Sequence, residues 1–303
     1  MSKTEAKQVS YSATIGFFDG VHRGHQYVIN RLRTDAENHG LRSMVITFAQ
    51  HPRQVLQKDF IPKLLTPAPR KIELLEQTGV DKVTALDFTL DMARMTAWEF
   101  MEMMEHNLGV SRLLIGYDNR FGHNRNEGFE DYVRHGKEIG IDVVCNDELP
   151  TDGQSISSSL IRRQLADGDI KNANASLGYR YFFPGIVVHG KGEGRKIGFP
   201  TANMQVDEQQ LIPRRGVYAV EVSIDGYEQP FMGMMNIGTR PTYGEFSQTV
   251  EVNILDFDAD IYDRSISVAI IDRLRDECRF ESIEALKEQL AADKKQIRNI
   301  FEK

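Results

Sequence analysis

Two histidines, His22 and His25, stand three residues apart in IGFFDGVHRGH, residues 15–25, directly behind a glycine at the end of an apolar run. If a helix starts there, rings at i and i+3 share one face. The run from Ala13 to Phe18 has the length of a buried strand, Gly20 permits the tight turn after it, and Gly24 lets a ligand approach the backbone closely. A strand end followed by a helix N-terminus offers free N–H groups and positive potential to a phosphate. One such histidine would read as a core or capping imidazole. The pair in this setting reads as a phosphate site.

Two further stretches suit the same chemistry. In ISSSLIRRQL, Ser157 is placed to cap a helix whose first turn holds Ser158, with Arg162 one turn on, an anion-binding start reinforced by a guanidinium. In GYDNRFG, Asp118 at a strand end can accept hydrogen bonds from a nucleotide or assist a metal, and Gly116 and Gly122 permit close backbone approach.

A second constellation follows Gly185. GIVVHGKGEGRKIGFPTAN places glycines at 190, 192, 194 and 198 among basic residues, a loop able to wrap a polyphosphate with backbone N–H groups. Thr201 and Asn203 lie two apart in an extended segment, so both side-chain oxygens point one way, as hard ligands for Mg²⁺ already held by phosphates. The segment lacks the GKS or GKT ending of a Walker A loop. In TVEVNIL, Glu251 alternates with Val250, Val252 and Ile254, and on strand pattern alone such a carboxylate is a solvated surface group.

The elements that must position these groups fall into two styles. In the first half, SATIGFF, RSMVITF, KVTALDF, RLLIGY and IDVVC alternate with helical stretches, including about 22–37, 70–77 and 97–106, which implies βαβ units and a doubly wound parallel sheet. The stretch from Phe48 to Thr66 is too long for a routine connection and reads as a lid or binding loop. A short helix stopped by Gly178 precedes strict alternation in GVYAVEVSI, TVEVNIL and SISVAIID, which implies a small antiparallel barrel. The tail returns to helical spacing, with Ile283, Leu286, Leu290, Ile297 and Phe301 on one stripe. The expected division is 1–180 and 181–303.

With 41% hydrophobic and 27% charged residues in 303, the chain reads as globular. A net charge of −7 argues against a nucleic-acid partner, and no apolar run has the length of a membrane span. Two cysteines without a CxxC pair encode neither a disulfide framework nor a zinc ribbon, and a cytoplasmic setting is expected.

FDGVHRGH resembles the HxGH signature of nucleotidyltransferases and, with its flanking residues, the FMN adenylyltransferase module of bacterial bifunctional riboflavin kinase/FAD synthetases. His51–Pro52 after ITF, GYDNRFG and ISSSLIR are similar to three further motifs of that module, in order. The segment 185–203 resembles the family's riboflavin kinase signature, and NIGTRPT at 236–242 with TVEVNIL is similar to its other blocks. The resemblance implies phosphorylation of riboflavin to FMN by the C-terminal module and adenylylation of FMN to FAD by the N-terminal one, with ATP and Mg²⁺. It implies Glu251 as the base toward the ribityl hydroxyl, and His22, His25 and Arg162 as the groups that stabilise charge in adenylyl transfer. ATP for that step would be held by Gly16, Phe18, Asp19, Gly20, His22, Gly24, His25, Asp118, Ser157, Ser158 and Arg162. For the kinase, the resemblance implies ATP contacts from Gly190, Gly192, Gly194, Arg195, Gly198, Pro200, Thr201 and Asn203, with Thr201 and Asn203 on the metal. Flavin contacts would come from Asn236, Gly238, Arg240, Thr242 and Glu251. Two positions depart from the family: Phe17 where relatives carry Asn, and Asn119 in place of an aromatic residue. An enzyme that only phosphorylates riboflavin, or a flavin-binding protein with neither activity, are the other readings.

Overall fold

The computed structural model describes residues 9–57, 59–116, 119–123, 126–146, 155–190, 192–242 and 245–302, with backbone only at 240–242 and 245–247. The chain divides into two compact units, 1–157 and 158–303.

The first unit runs β1 (Tyr11–Ile15), α1 (Arg23–Asn38), β2 (Arg42–Phe48), α2 (Pro52–Leu56), α3 (Ala68–Glu76), β3 (Lys82–Leu86), α4 (Leu90–Arg94), α5 (Ala97–Leu108), β4 (Val110–Ile115), α6 (Phe129–Ile139) and β5 (Asp142–Cys145). Its five strands are parallel in the order β3-β2-β1-β4-β5. Successive apolar residues are buried in the central strands because helices cover a parallel sheet on both faces. Ala13, Ile15, Met44, Ile46, Leu113 and Ile115 pack with Phe100, Met101, Met104 and Tyr132 of α5 and α6. β1 has β2 on one side and β4 on the other, so the strand order reverses there. Doubly wound sheets bind ligands at the carboxyl end of such a switch point. The residues that follow β1 and β4 are the FFDGVH and GYDNRFG segments. The helices α2 and α4, each of five residues, were not legible in the sequence.

The second unit opens with α7 (Ser158–Asp167) and α8 (Ile170–Leu177), and α8 ends on Gly178 in the left-handed region, as expected. There follow β6 (Phe182–Val188), α9 (Glu193–Lys196), β7 (Ala202–Gln205), β8 (Gly216–Ile224), β9 (Phe231–Thr242), β10 (Glu245–Ile254), β11 (Ser265–Arg275) and α10 (Ile283–Phe301). The strands close into an antiparallel barrel in the order β10-β7-β6-β11-β8-β9. α8 is tied to the barrel because Asn174 donates to the Ile270 carbonyl and accepts from the Tyr181 N–H. This places α7 and α8 with the second unit, whereas the change of sequence period falls after them. Ile297 of α10 packs on Val217, Ala219 and Met234, with Leu290, Ile300 and Phe301 beside it. Ile283, expected on the same stripe, is 57% exposed at the first position of the helix.

Candidate active sites

In the first unit, the histidine pair forms as its spacing requires. α1 starts at Arg23 and its N-cap is His22, whose Nδ1 accepts the His25 backbone N–H at 3.3 Å. When the His22 ring is neutral, that bond places its proton on Nε2. The two rings stack at 3.6 Å between centroids, and Phe18 meets His25 edge-on at 5.2 Å. Phe18 and Val21 both have positive φ, 54° and 35°, on either side of the Asp19–Gly20 turn. Positive φ is uncommon and strained in bulky and β-branched residues, and both of these flank the same turn. A side chain at Gly16 would touch the Phe18 ring at 3.0 Å, and one at Gly24 would meet the His22 ring at 3.1 Å. Gly24 therefore makes room for the imidazole stack. The Ile156 carbonyl also lies 3.4 Å from that point, which brings the start of ISSSLIR to the turn.

Asp19 is buried, and its oxygens accept the N–H groups of Leu65 at 3.1 Å and Thr66 at 3.0 Å, while Thr66 Oγ1 accepts from the Gly20 N–H at 2.9 Å. The carboxylate thus clamps the far end of the 49–66 segment to the turn. The near end is held by aromatic contacts, with His51 against the Phe17 ring at 4.7 Å and near Phe60 at 5.8 Å. Phe17 also carries the Lys71 ammonium on its face, 3.8 Å from the centroid. Lys71 is 1% exposed and donates to the Phe48 carbonyl at 2.8 Å. Burial pushes its pKa down from 10.5 to about 8, against the pull of Asp19. His25 is held well below the usual imidazole range, first by burial and then by repulsion from His22 and Lys71. A buried Nδ1 of His25 has no hydrogen-bond partner. The fixed positive charge beside the pair therefore belongs to Lys71, which sequence reasoning missed because a lysine in PRKIELLE reads as solvent-exposed.

An aromatic cleft adjoins this site, lined by Phe48, Phe88, Met92, Phe100 and Phe121. Phe121 is set by stacking on Tyr132 at 4.0 Å and by its N–H donating to the Tyr132 hydroxyl at 3.1 Å. Gly122 is needed for packing, since a Cβ there would lie 2.7 Å from the Ala97 nitrogen. Asn119, one of the two departures, reaches back to the Ile15 carbonyl at the end of β1, at 3.5 Å. Asp118 lies outside the described residues. Ser157 closes the first unit, and Ser158 and Arg162 lie on α7 in the second.

In the barrel unit the glycine-rich segment contains one helical turn, α9, entered through Gly192 and left through Gly198, both at positive φ. A Cβ at either glycine would meet open space. Gly190 and Gly194 are different: a Cβ at Gly190 would fall 2.1 Å from Asn203 Nδ2, and one at Gly194 would fall 2.2 Å from the Phe199 carbonyl and 3.4 Å from Thr201 Oγ1. The loop is thus closed down on Thr201 and Asn203. Arg195, Pro200 and Thr201 line one cleft of about 510 Å³, whose far wall is the Phe257–Tyr262 segment. Thr201 also lines a second cleft of about 290 Å³, with Asn236, Glu251, Asn253, Glu277, Phe280, Leu286 and Leu290. Glu251 pairs in register with Asn203 on one side and Asn236 on the other. It is half-buried in a cleft, so the solvated reading from strand pattern alone does not apply.

Asn253 fixes Pro200 by donating to its carbonyl at 2.6 Å, and Glu277 accepts from Asn236 Nδ2 at 3.3 Å. Gly238 is glycine because a Cβ would lie 2.5 Å from Glu277 Oε1. Neither Asn253 nor Glu277 was singled out from the sequence; the alternation that put Asn253 on the face of Glu251 was the available signal for the first. The side chains of Arg240 and Thr242 lie outside the described residues. Among the described residues no group of three or more His, Cys, Asp or Glu could hold a metal.

The family model for FAD synthetase matches residues 4–160, and that for riboflavin kinase matches 177–301. The bifunctional riboflavin kinase/FMN adenylyltransferase of Escherichia coli K12 is 38% identical over 98% of this chain and 95% of its own, and that of Bacillus subtilis is 36% identical over 99% and 95%. The chain belongs to the bifunctional riboflavin kinase/FMN adenylyltransferase family. A crystal structure from Streptococcus pneumoniae described as a macrolide-efflux protein superposes with a TM-score of 0.86 at 32% identity, over 96% of this chain and 94% of that one. No helix among the described residues here is long and apolar enough to cross a membrane. Within the family, the histidine turn lies in the FAD synthetase match, and the Thr201–Glu251 cleft lies in the riboflavin kinase match.

Proposed function

We propose that the barrel unit phosphorylates riboflavin at the two clefts that meet at Thr201, and that the histidine turn of the sheet unit then adenylylates the FMN produced. The enzyme is a riboflavin kinase and FMN adenylyltransferase that makes FAD from riboflavin and ATP. The observation that carries the site assignment is Thr201 in the shared wall of a cleft with Arg195 and a cleft with Glu251. A γ-phosphoryl group at that wall faces a hydroxyl in the next cleft with a carboxylate beside it, as transfer to an alcohol requires.

In this reading the Arg195 cleft takes ATP, and the Glu251 cleft takes the flavin with its ring against Phe280, Leu286 and Leu290. Glu251 receives the ribityl hydroxyl proton. Asn236, Gly238, Arg240 and Thr242 serve the flavin side, and Gly190, Gly192, Gly194, Gly198 and Pro200 shape the phosphate side. Thr201 and Asn203 suit Mg²⁺, since they are hard oxygen donors held against a glycine cradle that any side chain would fill. Bound there with ATP, the ion would neutralise phosphate charge.

In adenylyl transfer an FMN phosphate oxygen attacks the α-phosphorus of a second ATP, and pyrophosphate leaves with the electron pair of the broken bond. No protein nucleophile is needed. His22 donates from Nε2, and neutral His25 supplies a second polar edge. Gly16, Phe18, Asp19, Gly20 and Gly24 hold the geometry of that turn. Asp118, Ser157, Ser158 and Arg162 remain ATP-binding assignments on their motifs, and the functional modules are drawn as 1–180 and 181–303. The aromatic cleft at Phe48 and Phe121 is the seat for the flavin ring. At about 150 Å³ it is smaller than the roughly 300–1,000 Å³ usual for ligand sites, so α2, which buries no residue, must shift to admit the ring. A cytoplasmic location suits an ATP-dependent enzyme whose two cysteines are both free.

The test is to incubate the protein with riboflavin, ATP and Mg²⁺ and separate the flavins. FAD supports the reading. FMN alone would restrict the activity to the kinase, and unchanged riboflavin would leave neither.

A further inference from the structure

We propose that Lys71 is the cation that receives the phosphate monoester of FMN in adenylyl transfer, and that Phe17 is the platform that aims it. The proposal rests on the adenylyltransferase reading of the histidine turn and adds a residue to it.

Lys71 occupies the inner stripe of α3 with Leu74 and Leu75, where an amphipathic helix ordinarily buries only apolar groups. A buried ammonium is costly unless oxygens surround it. Here the ammonium has one carbonyl, that of Phe48, and one ring face, that of Phe17, for three donors. Asp19 attracts it electrostatically, and the Asp19 oxygens also accept the Leu65 and Thr66 N–H groups. A purely structural residue at this position would be leucine or methionine. A cation with a donor to spare suits a site that gains an anion during function.

The place of the ammonium identifies which anion. On one side it is anchored to Phe48, whose ring lines the aromatic cleft; on the other it acts electrostatically on His25 of the stacked pair. A flavin whose ring enters that cleft carries its phosphate on a ribityl chain toward the histidines, past Nζ. The phosphate oxygen that attacks uses its own lone pair, the bond from the α-phosphorus to pyrophosphate breaks, and Lys71 is covalently unchanged. Its work is to hold the nucleophile in line and to hold the negative charges of two phosphates together. Phe17 then acquires a reason: its ring contributes attraction from below without taking up a donor, as an acceptor side chain would.

The test uses the full chain, supplied with FMN and saturating MgATP, and compares wild type with Lys71→Met and Phe17→Leu. The expected result for Lys71→Met is a KM for FMN raised at least tenfold, with KM for ATP within twofold and riboflavin phosphorylation unchanged. Lumiflavin, which has the ring but no phosphate and no ribityl alcohol, should inhibit FMN adenylylation with the same constant in variant and wild type. Phe17→Leu should raise KM for FMN about threefold with the lumiflavin constant again unchanged, and it carries the test if Lys71→Met does not fold. An unchanged KM for FMN overturns the proposal. So does parallel loss of lumiflavin binding, which would make the lysine a packing element, or a rise confined to KM for ATP, which would assign it to the triphosphate. If wild type makes no FAD from FMN, the reading of the site itself has failed, whatever Lys71 does.

Discussion

A lysine buried for function should leave a thermodynamic signature that is independent of activity. In the folded chain, burial brings the Lys71 pKa to about 8 from the ordinary 10.5. At about 1.4 kcal/mol per pH unit, that interval corresponds to about 3 kcal/mol of stability. The sign follows from proton counting. Below pH 8 both folded and unfolded chains carry the charged lysine, and the folded state bears the full cost of its desolvation. Between pH 8 and 10.5 the folded lysine is neutral while the unfolded one is still protonated, so stability rises with pH. Above 10.5 both are neutral and the cost is gone. Lys71→Met lacks this dependence, and other groups cancel in the comparison. Trp98 on α5 is the sole tryptophan of the chain and lies in the sheet unit, so its fluorescence during urea unfolding reports that unit. Wild type should gain about 3 kcal/mol on the variant between pH 7 and pH 10.5. A difference that stays constant to within about 0.5 kcal/mol across that range would refute the account of Lys71 as a desolvated cation.

Other substitutions probe other parts of the two sites. Gly190→Ala drives a methyl into Asn203 and should raise KM for ATP in riboflavin phosphorylation severalfold, while adenylylation of added FMN is unaffected. Asp19→Asn exchanges an acceptor oxygen for a donor opposite the Leu65 or Thr66 N–H, and should destabilise the sheet unit by about 1–3 kcal/mol in the same Trp98 measurement. Asp293, buried on α10, accepts from Arg275 and Gln289; Asp293→Ala strands the Arg275 charge at the edge of the Glu251 cleft and should weaken riboflavin binding, measured by flavin fluorescence quenching.

The parts of the fold that could be read from sequence are those governed by local period. β1 to β5 and the alternation of β8 and β10 followed from apolar spacing, and Gly178 marked the end of α8 as a left-handed cap must. That His22 and His25 share one face followed from i, i+3 geometry, whereas their stacking came only with the structure. What stayed hidden depends on packing between distant residues. Nothing in PRKIELLE distinguishes Lys71 from a surface lysine until Phe17 and Phe48 are brought to it. Asp19 in the FDG turn looked like a ligand group, and only the arrival of Leu65 and Thr66 shows it as a clamp. Glycines were found but their reasons were mixed: Gly192 and Gly198 face open space, whereas Gly24, Gly122 and Gly238 make room for the protein's own groups. Phe17, the least explicable residue in the sequence, is the one whose ring carries the Lys71 ammonium.

The division of the two reactions between the two units is tested most directly by complementation. Glu251→Ala should fail on riboflavin but convert added FMN to FAD, and His25→Ala should carry riboflavin to FMN and lose 10²–10³ of its adenylylation rate, an electrostatic loss of about 3–4 kcal/mol. Mixed in one tube with riboflavin, ATP and Mg²⁺, the two inactive variants should together make FAD. If each variant loses both reactions, and the mixture makes no FAD, the assignment of one site to each unit is wrong.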